Sequence, residues 1–200
     1  MGRCESLGWG VIIALGVLAA AIILVFSFAF GYLRHVKITV DDASLTRMEL
    51  VTTPTTALAY NLSLKLVIRN PNWAIAIKHD KPLDAAYSFD GQQFDRAHVA
   101  DKGDKQRARK TVVYRLDTSS DGRSVSLGNA GEAEFRKQNA TGLLEVEVKL
   151  TGKFKYTARY HKCKLEATCP LKVQLAPPGS PAVVFQKVEC ELAKPENKYC

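Results

Sequence analysis

Residues Leu58–Ile68 read Leu-Ala-Tyr-Asn-Leu-Ser-Leu-Lys-Leu-Val-Ile, and the order of apolar and polar side chains in them decides the fold. Leu62, Leu64 and Leu66 alternate with Asn61, Ser63 and Lys65, which is the period of a strand with one buried face and which turns Asn61 to solvent. The same period returns along the chain. Trp73, Ile75 and Ile77 alternate with Ala74, Ala76 and Lys78, and Ala85, Tyr87 and Phe89 alternate with Ala86 and Ser88. Asp90-Gly91 supplies a tight hairpin turn into Gln93 and Phe94. Further strands are expected at Val112, Tyr114 and Leu116, at Leu144 to Leu150, and at Phe154, Tyr156 and Tyr160 after Gly152. Two more are expected at Leu171, Val173 and Leu175, and from Val184 to Leu192 after the Pro177-Pro178-Gly179 break. One short helix interrupts them, where Asn129 stands three residues before Glu132, close to a capping box, and Ala133 to Gln138 follow. Seven or more short strands with one helix predict an all-β chain, an antiparallel β-sandwich.

Upstream, Leu7 to Leu33 is a run of 27 residues without a charged side chain. A helix of about 20 apolar residues crosses the hydrocarbon core, so this run predicts a single transmembrane helix with some tilt. Trp9 and Tyr32 mark its ends, and Arg34 and Lys37 close it off. A cleaved signal peptide would have a shorter apolar region, of about 7 to 15 residues, and a small-residue cleavage site. The division expected is 1–6 as a cytosolic tail, 7–33 as the span, 34–44 as a juxtamembrane linker and 45–200 as the sandwich. Gly2 in Met-Gly-x-x-x-Ser satisfies a loose myristoylation pattern, and Cys4 is a candidate for palmitoylation. Gly8, Gly10 and Gly16 permit close helix approach and hence a homo-oligomer.

Orientation follows from three cues. Arg34, Lys37 and Arg47 outnumber Arg3, which argues for a cytoplasmic domain, but long domains translocate largely regardless of charge. The sequons Asn61-Leu62-Ser63 and Asn139-Ala140-Thr141, with Cys163, Cys169, Cys190 and Cys200, argue for the outside. Those four cysteines allow three pairings, and they lack the paired Cys-x-x-Cys spacing of a zinc site.

Nothing in the chain has the pattern of a catalytic or cofactor site. The four histidines, His35, His79, His98 and His161, are scattered, and no phosphate loop, His-Glu-x-x-His or nucleophile elbow occurs. His79 and Asp80 are adjacent on a strand and point to opposite faces, so they do not make an acid–base pair. No enzyme, metal or cofactor is expected. Nucleic acid binding is excluded by location and by the lack of a recognisable module.

Several segments together resemble the plant harpin-induced-like (NDR/HIN-like) membrane proteins of the late-embryogenesis-abundant type 2 superfamily. They are Leu45-Thr46-Arg47, Ala59 to Leu64, Ile68-Arg69-Asn70-Pro71-Asn72 leading into Ile75 to Asp80, and Ala85-Ala86-Tyr87 ahead of Asp90 to Phe94. Phe154 to Tyr160, Cys169 to Val173 and Lys187 to Leu192 complete them. The resemblance covers most of the chain from Leu45 on. It implies a fibronectin- or immunoglobulin-like sandwich, a non-enzymatic role in plant defence or stress responses at the plasma membrane, and a disulfide between Cys169 and Cys190, which leaves Cys163 with Cys200. Two departures stand out: Lys78-His79 replaces the family's aromatic pair, and the basic stretch Lys102 to Lys110 replaces a Phe-Tyr-Gln-Gly segment. Asn70-Pro71-Asn72 ends a strand and redirects the chain on physical grounds alone, because Pro71 fixes φ and keeps Asn70 extended.

The formal net charge is +8, and most of the excess lies beyond the span. Lys153, Lys155, Thr157, Arg159 and His161 fall on one side of a strand, with Phe154, Tyr156, Ala158 and Tyr160 on the other. Lys102, Lys105, Arg107, Arg109 and Lys110 form a second cluster. These groups are the candidate surface for an acidic cell-wall polysaccharide, anionic headgroups or a protein partner. The function expected is an outward binding module in defence or stress signalling; the competing expectation is a desiccation-protective or wall-to-membrane spacer.

Overall fold

The computed structural model describes residues 2–31, 33–51, 56–125, 127–157, 162–179 and 183–194, with the side chains at 2–8, 29–31 and 123–124 left undescribed. A helix, α1 (Gly2–Gly31), precedes strands β1 (Lys37–Val51), β2 (Ala57–Arg69), β3 (Ile77–Phe89), β4 (Gln92–Ala100), β5 (Lys105–Gln106) and β6 (Thr111–Ser124). A second helix, α2 (Gly128–Thr141), leads into β7 (Leu143–Tyr156), β8 (Lys162–Gln174), β9 (Val188–Glu189) and β10 (Glu191–Leu192).

The strands form two antiparallel sheets, one ordered β6-β2-β1-β9 and the other β10-β8-β7-β3-β4, with β5 also paired to β3. Their apolar faces meet in one core. Leu62, Leu64 and Leu66 of β2 are buried in it while Asn61 is exposed, as the alternation requires. Tyr60 of β2 and Phe94 of β4 meet across the sheets edge to face, with ring centroids 4.9 Å apart. The Thr118 hydroxyl of β6 donates to the Asp95 carboxylate of β4, a second tie between the layers.

Within α1, Trp9–Phe28 is long and apolar enough to cross a membrane and is not buried against the rest of the chain. Leu33, counted in the span on sequence, lies beyond the helix and packs on the core.

Residues 34–44 are not a linker. Val36, Ile38 and Val40 are buried while Lys37 is exposed, so the period-two pattern starts here and carries β1 into the sheet. The strand expected from Trp73 begins only at Ile77, because Pro71 lacks an amide donor and Asn70 and Asn72 occupy the local backbone groups. That leaves Trp73 61% exposed. Asp90 and Gly91 turn with φ of 48° and 75°, the left-handed pair of a two-residue hairpin.

Helix α2 lacks the expected cap. Its N-cap position is Leu127, without a side-chain hydrogen bond, and Asn129 is already helical. Glu132 instead accepts from the Thr56 hydroxyl at 3.0 Å, which pins the helix to the start of β2. Val184 to Leu192 is not one strand either. β9 pairs with β1 of one sheet and β10 with β8 of the other, so the segment crosses between layers and cannot run along either.

Candidate functional site

The end of the sandwich that receives α1 is built on Asn70-Pro71-Asn72. Asn70 is fully buried and Asn72 nearly so, and a buried amide must find partners for its donors and acceptor. The Asn70 side chain donates to the carbonyls of Ile75 at 2.9 Å and Arg107 at 3.2 Å, and its oxygen accepts from the Asn72 backbone at 3.1 Å and side chain at 2.9 Å. Asn72 then grips the chain leaving α1. Its Oδ1 accepts from the Arg34 amide and its Nδ2 donates to the Arg34 carbonyl, both at 2.8 Å. The Tyr156 hydroxyl donates to that same carbonyl at 3.3 Å. Gln106 joins from β5, donating to the carbonyls of Ile68 and Lys110 at 2.8 Å, and the Arg109 amide donates to the Asn72 carbonyl at 2.9 Å. One polar cluster therefore holds both sheets, the 101–110 loop and the exit from α1.

Around it the surface is basic, and register decides the arrangement. Lys105 of β5 lies opposite Lys78 of β3, Lys78 opposite Lys155 of β7, and Lys155 opposite Lys162 of β8. A second row places Lys81 against Lys153 and Lys153 against Lys164. Directly opposed residues share a face, so these lysines line up on the outer surface of one sheet, on strands about 4.8 Å apart. Two carboxylates temper the rows: Asp80 pairs with Lys162 at 2.9 Å and Glu166 with Lys164 at 2.8 Å. The Lys162 hydrogen bond holds the Asp80 carboxyl below its ordinary range, helped by the charges of Lys155 and Lys102.

Of the basic residues singled out in the sequence, Lys105, Lys153 and Lys155 come together in these rows. Lys102 lies near Asp80, and Arg107, Arg109 and Lys110 line the 101–110 loop. Arg159 and His161 lie outside the described residues. Lys78, Lys81, Lys162 and Lys164 complete the rows and were missed, because strand pairing cannot be read from one strand's alternation.

Other candidates separate. Asn61 on β2 and Asn139 in the last turns of α2 are both exposed, far apart in the topology. Cys169 of β8 is disulfide-bonded to Cys190, with Cα atoms 4.3 Å apart. Because Cys190 lies between β9 and β10, the bond clasps the segment that spans both sheets. Cys163 is also disulfide-bonded, while Cys200 and the side chain of Cys4 lie outside the description, as does any modification of Gly2. His79 is buried and Asp80 half-buried on the opposite face. Burial holds the His79 imidazole below its ordinary value, with Asp104 opposing. His98, exposed between Asp84 at 3.2 Å and Asp101 at 3.0 Å, is raised, chiefly by the Asp84 hydrogen bond.

No family model matches the chain. It is similar to three curated Arabidopsis thaliana proteins. "NDR1/HIN1-like protein 3" is 28% identical over 90% of this chain and 75% of its own length. "NDR1/HIN1-like protein 10" is 30% identical over 70% of the chain and 59% of its own length, and "NDR1/HIN1-like protein 2" is 30% identical over 78% and 65%. The chain thus spans less than two thirds of the length of the last two. A solved Archaeoglobus fulgidus protein covers 68% of this chain and 98% of its own at 8% identity, with a TM-score of 0.32, too low to bear on the fold.

Proposed function

We propose, from its similarity over most of its length to NDR1/HIN1-like proteins, that the chain is one of that family and a non-enzymatic plasma-membrane protein of plant defence or stress responses. In this reading α1 spans the bilayer once and the sandwich faces outward. The sandwich binds an acidic cell-wall polysaccharide on its lysine rows. The observation that carries this reading is the register of Lys105, Lys78, Lys155 and Lys162. Like charges placed directly opposite one another cost stability. Four adjacent strands carry that cost on one face, with one ion-paired carboxylate, Asp80, against the row. A polyanion with a carboxylate on every sugar relieves the repulsion along its length, whereas a small anion would reach one or two lysines.

The test is binding of the full chain, in detergent, to polygalacturonate and to a neutral glucan at low and high salt. A second protein carries Lys78→Gln, Lys105→Gln and Lys155→Gln. Exposed ion pairs contribute about 0.2 to 1 kcal/mol each, so the variant should lose about tenfold in affinity for polygalacturonate, and wild-type binding should weaken as salt screens it. Equal, salt-insensitive binding by both proteins would refute the lysine rows as the site, and no binding by either would favour a spacer without a ligand. Orientation is tested separately by deglycosylation. A mobility increase that Asn61→Gln with Asn139→Gln abolishes supports an outward domain.

A further inference from the structure

The lysine rows do not use the cleft beside them. Phe28 of α1, Arg34, Arg69, Pro71, Asn72, Trp73 and Arg109 line a cleft of about 650 Å³ at the end of the sandwich that receives α1. Its charge is one-sided, because it has three arginines and no carboxylate. None of the three has an ion-pair partner among the described residues, although ion pairs are common elsewhere on the surface.

The arginines come from three separate segments and are brought together by backbone hydrogen bonds. Asn72 fixes Arg34 through its amide and carbonyl, and holds Arg109 through an amide-to-carbonyl bond of 2.9 Å. Arg69 ends β2, locked in register opposite Lys37 and Thr111. Arg109 has a φ of 57°, a left-handed conformation uncommon for a residue with a side chain, and this turn directs the loop back to Asn72. The guanidinium groups are thus carried on a fixed frame, whereas cations on a flexible tail would have to be ordered on binding.

What fills such a cleft follows from its position. The uncharged run ends at Leu33, and Arg34, the first charged residue after it, lines the cleft together with Phe28 of the helix. Just beyond the last apolar residue of a span lie the phosphates of the lipid headgroups, the depth at which tryptophan is enriched. Trp73, 61% exposed and without a ring partner among the described residues, lines this same cleft beside Phe28 and Arg34. Guanidinium matches phosphate oxygens with paired donors.

We propose that this cleft seats the phosphate of a phospholipid headgroup from the leaflet next to the sandwich, with Arg34, Arg69 and Arg109 as donors and Trp73 embedded at the interface. The seat holds the sandwich down on the bilayer, so its outer faces keep one orientation to the membrane surface. The site rests on α1 being the span and is independent of the lysine rows.

Two measurements on the full chain test it. In native mass spectrometry from detergent, the wild type should retain phosphatidic acid but neither the matched diacylglycerol nor inorganic phosphate. Arg34→Gln with Arg69→Gln and Arg109→Gln should retain about tenfold less phosphatidic acid, while Lys78→Gln with Lys155→Gln should retain as much as the wild type. Equal retention by the arginine variant, or equal retention of diacylglycerol, overturns the site. Retention of inorganic phosphate in place of lipid assigns the arginines to a free anion and also overturns it. The second measurement leaves the cleft intact: Trp9→Phe makes Trp73 the sole tryptophan of the two in the chain. In phospholipid nanodiscs its emission should shift to the blue and be quenched by spin label placed near the headgroup. A chain that fails to co-migrate with nanodiscs overturns the span and the site together. One that co-migrates with Trp73 unshifted and unquenched overturns the site alone.

Discussion

Replacing Asn72 with alanine removes three side-chain hydrogen bonds: from the Arg34 amide and to the Arg34 carbonyl, both 2.8 Å, and to Asn70 Oδ1 at 2.9 Å. A typical intramolecular hydrogen bond contributes about 1 kcal/mol net, and a buried partner left unsatisfied costs more. Here the partners fare unequally. Asn70 Oδ1 keeps the Asn72 amide at 3.1 Å and the Arg34 carbonyl keeps the Tyr156 hydroxyl at 3.3 Å, while the Arg34 amide, whose bond to Asn72 is only partly buried, can turn to water. The loss is therefore the bonds themselves, about 2 to 3 kcal/mol, with little added desolvation penalty. For a domain of this size each kcal/mol moves the midpoint by about 2 to 4 °C, so Asn72→Ala should lower Tm by about 4 to 12 °C. Asn72→Asp should be worse, because a carboxylate cannot donate and would bring a charge into a site only 3% exposed. The assay is thermal unfolding of the full chain in detergent by circular dichroism, with hydrogen exchange at the Arg34 amide as the local readout. A midpoint within about 1 °C of the wild type, together with unchanged protection of Arg34, would refute the account of Asn72 as the residue that fixes the exit from α1.

Cys190→Ser opens a loop with a sequence separation of 21; the chain-entropy model gives about 3 kcal/mol, so Tm should fall by about 6 to 12 °C, and a fall under about 2 °C would mean that β9 and β10 hold without the clasp. Tyr87 is fully buried and its hydroxyl has no hydrogen-bond partner among the described residues, so Tyr87→Phe should leave stability unchanged or raise it by up to about 1 kcal/mol; a clear loss on thermal unfolding would show that the hydroxyl is satisfied. His79 contributes stability above the ordinary imidazole value of 6.5 that is lost as pH falls through its depressed folded value, because the unfolded chain takes up the proton first. The exposed His98 runs the other way, its contribution present below 6.5 and lost as pH rises through its raised folded value. Tm measured between pH 7 and 5 should therefore fall less steeply in His79→Asn than in the wild type, and parallel curves would exclude burial of a neutral His79 as the cause.

The alternation in Leu58–Ile68, the apolar run after Leu7 and the Asp90-Gly91 turn were legible in the sequence because each is local. A strand's buried face, an apolar helix long enough to cross a membrane and a two-residue hairpin are determined by side chains a few positions apart, and all three recur in the structure. The start of β1 was legible in principle, since Val36, Ile38 and Val40 alternate, but Lys37, Asp41 and Asp42 made it read as a polar linker. The cap of α2 was misread because Glu132 has a better partner in Thr56, a residue far away in sequence.

What only the tertiary structure decided is non-local. No periodicity tells that Lys78 faces Lys105 and Lys155, since a strand's alternation fixes which face a residue takes and not which residue lies beside it. Nor does any short-range signal bring Arg34, Arg69 and Arg109 around Trp73, because Arg34 and Arg109 are held by hydrogen bonds with Asn72 and Arg69 by its register in β2, contacts between segments distant in sequence. The sequence by itself determined an apolar helix ahead of a two-faced β chain; the pairing of strands decided where its charges meet.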